Sequence, residues 1–102
     1  VYPQAEWVKL ATKLSNLPIS QAKSRAFARL MLAGAMDVVP DRQGRVVVPE
    51  YLREYGKISK QVIITGLYNR LEIWDEDVWN KYKNETVRDS SEIAEAMGEL
   101  GV

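Results

Sequence analysis

The chain has 102 residues, no cysteine, no histidine and a formal net charge of zero. That length suits one domain with a modest core, and the missing residue types remove disulfide scaffolds, thiolate zinc sites and most nucleophile and base arrangements used in catalysis. With 46% hydrophobic and 27% charged residues the composition is that of a folded globular chain; no apolar run approaches the roughly 20 residues of a membrane helix, and Val1 opens no signal peptide, so a cytoplasmic location is expected.

Trp7, Leu10, Ala11, Leu14 and Leu17 fall at helical spacing and predict a first helix, with Pro3 in its opening turn. Pro18 breaks that pattern. Ser20 is the expected N-cap of a second helix whose apolar stripe runs through Phe27, Leu30, Met31 and Gly34. From Met36 the character changes: Asp37–Pro40 and Arg45–Val48 are short β-type runs around Asp41-Arg42-Gln43-Gly44, where Asp favours the start of a turn and Gly its end, so a hairpin is expected. Pro49 then starts a two-turn helix, Glu50–Tyr55, with Gly56 as the expected C-cap glycine. Gln61–Thr65 and Leu71–Trp74 predict a second hairpin joined through Gly66-Leu67-Tyr68-Asn69. Asp75 can cap a helix to about Lys83, and Ser91 a final acidic helix through Ile93, Ala96, Met97 and Leu100.

One internal similarity links the two ends. Val1-Tyr2-Pro3-Gln4-Ala5-Glu6-Trp7-Val8-Lys9-Leu10 reads like Ile73-Trp74-Asp75-Glu76-Asp77-Val78-Trp79-Asn80-Lys81-Tyr82, 72 residues later. On that register Val1 matches the end of the second hairpin, and the chain is expected to begin inside the first of two repeats.

Asp41-Arg42-Gln43-Gly44-Arg45, then Val46-Val47-Val48-Pro49, Leu52-Arg53-Glu54-Tyr55, Thr65-Gly66-Leu67 and Asn69-Arg70-Leu71-Glu72-Ile73-Trp74, occur together in order and resemble the second half of the MraZ family, within the AbrB-like superfamily. The resemblance covers essentially the whole chain and implies an α+β fold: one β-β-α-β-β half of a swapped-hairpin barrel with flanking helices. Residues 1–35 would be a helical pair after a missing first repeat, 36–83 the second repeat, and 84–102 an acidic helical tail. It also implies a nucleoid-associated repressor of the division and cell wall gene cluster, binding direct repeats of double-stranded DNA in its own promoter as a ring-shaped homo-oligomer, without cofactor or metal. Two departures stand out: only the second Asp-x-x-x-Arg motif is present, and Tyr68 occupies a turn position where the family tends to have glycine.

A two-stranded ribbon fits the major groove, so a hairpin tip can reach base edges without a recognition helix. Arg45, at the exit of the tip, can bond guanine O6 and N7 in bidentate fashion; Gln43 can read adenine; Arg42 can meet a base or a phosphate. Gly44 supplies positive φ, and Asp41, of the wrong charge for DNA, either fixes the turn or orients Arg45. Arg53 is a phosphate candidate by the resemblance; pairing with Glu50 or Glu54 is its plain alternative. For the tip as a whole the plain alternative is an exposed hairpin whose Asp41 and Arg45 pair only for solubility.

The zero net charge hides a split, +5 over residues 1–60 and −5 over 61–102. Lys23, Arg25 and Arg29 can attract DNA or, as favoured here, meet the acidic tail of a neighbouring subunit. Trp7 and Trp79 are expected in core and interface packing. The competing function is an AbrB-like antitoxin or assembly module without DNA binding of its own. An enzyme is not expected, since Asp75-Glu76-Asp77 more simply begins a helix.

Overall fold

The computed structural model describes residues 1–102. Its elements run α1 (Gln4–Ser15), α2 (Ala22–Gly34), α3 (Glu50–Tyr55), β1 (Val62–Gly66), β2 (Leu71–Asp75), α4 (Glu76–Arg88) and α5 (Ser90–Glu99). The class is α+β: helices with one two-stranded sheet, antiparallel because four residues join its strands. The chain divides into two compact units, Val1–Pro49 with Gly66–Glu72, and Glu50–Thr65 with Ile73–Val102.

In the first unit, α1 begins beyond Pro3, whose carbonyl accepts from Trp7 N at 2.9 Å. Proline suits this entrance because it lacks an N–H that would otherwise go unsatisfied. Leu14 is the buried apolar residue of the chain, on the face where α1 packs against α2. The cap expected at Ser20 is displaced by one residue: Gln21 N bonds Pro18 O at 3.3 Å, which draws Ser20 into a turn and leaves Gln21 at the N-cap. Arg25 Nη1 reaches back to Ile19 O at 2.6 Å and fastens that turn to the helix. Val1 and Leu71 exchange N–H···O bonds of 2.6 and 2.8 Å, the reciprocal pattern of two opposed residues in an antiparallel ladder.

The expected strands of the first hairpin, Asp37–Pro40 and Arg45–Val48, do not form; residues 35–49 carry a closed turn between arms that hold no strand. An isolated two-stranded ribbon is marginal in water, and here Val39 and Val47, 88% and 79% exposed, bury little that would stabilise it.

In the second unit, α3 ends with Ile58 N on Arg53 O at 2.9 Å and Lys57 N on Glu54 O at 3.1 Å, the paired bonds of a Schellman motif. The left-handed residue in that motif is Lys57, at φ 54°, so the position expected for Gly56 lies one residue further on. Along β1, Ile63 and Thr65 are half-buried while Val62 and Ile64 face solvent. Asp75 is buried at the junction of strand and helix: Oδ1 accepts from Ser59 N at 3.0 Å and Ser59 Oγ at 2.6 Å, and Oδ2 caps α4 through Val78 N at 3.3 Å. These donors hold its carboxyl below the usual range, the Ser59 hydroxyl most strongly. Trp74 packs against Trp79 and Tyr82, with ring centroids 5.3 and 5.0 Å apart. With no breaker after Lys83, α4 continues to Arg88, and α5 follows behind Asp89 instead of the expected Ser91 cap.

Candidate nucleic-acid interface

The turn at residues 41–45 is built around one carboxylate. Asp41 Oδ1 accepts from Gln43 N at 2.9 Å and Arg45 N at 2.8 Å, while Oδ2 accepts from Arg45 Nε at 3.1 Å. The backbone closes the same loop twice, by Asp41 N on Arg45 O at 2.9 Å and Gly44 N on Asp41 O at 3.0 Å. Gly44 sits at φ 78°, a conformation that costs any L side chain roughly 1–2 kcal/mol. The space around a Cβ there is open, so backbone conformation and not crowding selects glycine.

The one carboxylate thus bonds both the turn backbone and the Arg45 guanidinium. Its carboxyl is held below the ordinary range, most strongly by the Arg45 backbone N–H and further by the Gln43 N–H and the Arg45 guanidinium, with desolvation, second in size, opposing them. It stays ionised at neutral pH and acts purely as an acceptor. Arg45 donates to the carboxylate through Nε, and its side chain is 73% exposed. A guanidinium braced on one edge keeps its other donors in a fixed fork, the geometry that suits a base edge or a phosphate.

Arg42 and Gln43 lie beside Arg45 on the exposed turn; the Gln43 backbone is spent on Asp41 and its side chain is free of that bond. Arg53 lies on α3, in the other compact unit, where its carbonyl serves the Schellman motif. On α2, Arg25 is committed to the Ile19 carbonyl, whereas Lys23 lines a recess between α1 and α2 and Arg29 is exposed. Trp7 stacks obliquely on Tyr2 at 6.2 Å and Trp79 joins the Trp74–Tyr82 cluster, so both are half-buried packing residues within their own units.

The Ser59–Asp75 link and the left-handed Lys57 were not expected from the sequence. The first had a faint signal in a serine shortly before an apolar β-branched run; the second had none, because lysine carries no preference for that conformation. No group of three potential metal ligands is present, and no helix is long and apolar enough to cross a membrane.

A family model described as "MraZ protein, putative antitoxin-like" matches residues 31–99. The chain belongs to the MraZ family. Three curated relatives, each named Transcriptional regulator MraZ, agree along nearly the full chain. The protein of Thermoanaerobacter pseudethanolicus is 44% identical over all of this chain and 71% of its own length. That of Carboxydothermus hydrogenoformans is 45% identical over 95% and 68%, and that of Clostridium acetobutylicum 46% identical over 100% and 71%. The match to the MraZ model includes the Asp41–Arg45 turn, α3 and both strands.

Proposed function

We propose that this MraZ-family chain is a DNA-binding transcriptional regulator, a repressor of the division and cell wall gene cluster, that presents the Asp41–Arg45 turn to the major groove of direct repeats in its own promoter. The observation that carries the reading is the double use of Asp41: the carboxylate that closes the turn also braces Arg45 Nε, leaving the outer donors exposed. Such a fork reads guanine O6 and N7, each good bidentate pair being worth about 1–3 kcal/mol of discrimination. Gln43 can read an adjacent adenine, and Arg42 and Arg53 supply phosphate or base contacts that set register. The names of the relatives support a regulator of transcription.

The repeat is read as residues 36–83, one β-β-α-β-β half of a swapped-hairpin barrel, between the helical pair 1–35 and the acidic tail 84–102. The exposure of Val39 and Val47 supports a hairpin whose arms pair once a second half covers them. One turn neutralises few phosphates, so tight binding requires several turns engaged together on repeated sites, as a homo-oligomeric ring allows.

The test is fluorescence anisotropy of the protein on a promoter fragment with its direct repeats, against a scrambled fragment of equal length and equal salt. Preference for the promoter by at least tenfold, growing with the number of repeats, is expected. Equal affinity for both fragments would overturn sequence-specific reading, and binding to neither would favour the antitoxin or assembly-module reading.

A further inference from the structure

The segment that follows α3 holds a residue in a conformation its side chain does not favour. Lys57 stands at φ 54°, in the left-handed region that L side chains enter at a cost. Gly56, one residue earlier, does not take that position; it is a place of close approach, where a Cβ would lie 3.4 Å from the Ile58 side chain and from Leu52 O. The backbone around Lys57 is committed. Gly56 N bonds Leu52 O at 2.9 Å, Lys57 N and Ile58 N close the Schellman motif, and Asp75 Oδ1 holds Ser59 N at 3.0 Å. With the amides of residues 56–59 spent inside the chain, a ligand of this segment is met by side chains. Those of Tyr55, Lys57 and Lys60 are exposed, Tyr55 by 74%, and neither the phenol nor either ammonium has a partner in the chain.

We infer that Tyr55, Lys57 and Lys60 form a second contact to DNA, made with phosphate oxygens and indifferent to base sequence. Lysine is a hydrated point charge on a flexible stem, suited to a phosphate and without the planar fork that reads a base edge, and a tyrosine hydroxyl donates to phosphate in the same way. Residues 50–60 carry Arg53, Lys57 and Lys60 against Glu50 and Glu54, whereas the rest of their compact unit has three cations against eight carboxylates. The loop after α3 is thus the part of that unit a polyanion meets with least repulsion. A lysine beyond a helix end also meets the partial negative charge of the last carbonyls. Here the carbonyls of Leu52, Arg53 and Glu54 already accept N–H bonds, and α3 is only six residues long, so little of that charge is left for Lys57. This contact rests on the DNA-binding reading above and adds to it a place where affinity is set without selectivity.

The experiment is fluorescence anisotropy of the full 102-residue chain on the promoter fragment and on the scrambled fragment, across a salt series. Lys57→Gln/Lys60→Gln is compared with the wild type, with Lys57→Arg/Lys60→Arg, and with Lys81→Gln/Lys83→Gln, which removes the same charge from exposed positions of α4 in the same unit. The loop variant is expected to lose affinity by one factor on both fragments, on the order of 10-fold or more, with the slope of log affinity against log salt shallower by about one per lysine. The arginine pair keeps affinity and slope, the α4 pair changes neither, and Tyr55→Phe loses a few-fold on both fragments. Lys57→Gly relieves the left-handed residue, so the melting temperature is kept or raised while the slope falls. An unchanged slope in the loop variant, a loss matched by the α4 pair, or a loss confined to the promoter overturns the phosphate contact and leaves the DNA reading in place. A Lys57→Gly chain that melts lower and binds as the wild type does assigns that lysine to the helix end and removes it from the contact. Equal wild-type affinity for the two fragments overturns base reading by the 41–45 turn, while the salt slopes still decide the lysines. A wild type that binds neither fragment overturns the DNA reading and this contact with it.

Discussion

The two turns of this chain are opposites. At residues 41–45 the turn chemistry is favourable, with an aspartate accepting three hydrogen bonds and a glycine at positive φ, yet its arms carry no ladder. At residues 67–70 the turn chemistry is poor. Asn69 N bonds Leu67 O at 2.7 Å around Tyr68 at φ 66°, a γ-type turn on an exposed aromatic residue, yet β1 and β2 pair on either side of it. A turn's own hydrogen bonds thus do not make a sheet. The second hairpin holds because its flanks are anchored, at Asp75 by Ser59 and Val78 and at Trp74 by Trp79 and Tyr82. The first has a hydrogen-bonded tip between arms that hold no strand.

The comparison breaks most readily at Asp75. Asp75→Ala removes the cap of α4 and strands the Ser59 hydroxyl, and is expected to lower the melting temperature by roughly 5–10 °C in a thermal scan followed by circular dichroism. Asp41→Ala is expected to do the reverse: a shift of less than about 2 °C in the same scan, but a fall of roughly 10- to 100-fold in promoter affinity because Arg45 loses its brace. Equal thermal losses from both substitutions would erase the distinction between an anchoring hairpin and a presenting one.

Acid sharpens it further. The Asp75 carboxyl is held below its ordinary value of 3.8 in the folded chain. Its contribution is therefore present in full above that value and fades as pH falls through it toward the folded one. Thermal scans from pH 6 down to about 2.5 should show a steep acid limb for the wild type and a shallower one for Asp75→Asn, which keeps an acceptor but loses the titration. Parallel limbs would remove Asp75 as the acid-sensitive anchor.

The smallest expected effect is a gain. Tyr68→Gly relieves a left-handed residue at a cost in chain entropy and should stabilise the fold by about 0.5–1 kcal/mol by urea denaturation, with no change in promoter affinity.

Much of this was legible from residue order. The spacing of Trp7 to Leu17 gave α1, the Asp75 cap gave the start of α4, and Asp41 with Gly44 gave the tip. What escaped depended on partners distant in sequence or on backbone conformations to which residue type is indifferent. Ser59 reaches Asp75 across 16 residues, a turn closed by Gln21 N on Pro18 O displaces the cap at Ser20, and Lys57 takes the left-handed position beside a glycine that looks made for it. The arms around the tip were over-read as strands because valine-rich alternation reports what a segment can pair with, and pairing also requires a face to bury.

The central claim is that the outer donors of Arg45 read a base. The direct measurement is the affinity of Arg45→Ala for the promoter fragment and for a scrambled fragment, in the same buffer and salt. A roughly 10- to 100-fold loss on the promoter, a loss of no more than a few-fold on scrambled DNA, and an unchanged melting temperature are expected. Equal losses on both fragments, or none on either, would contradict it.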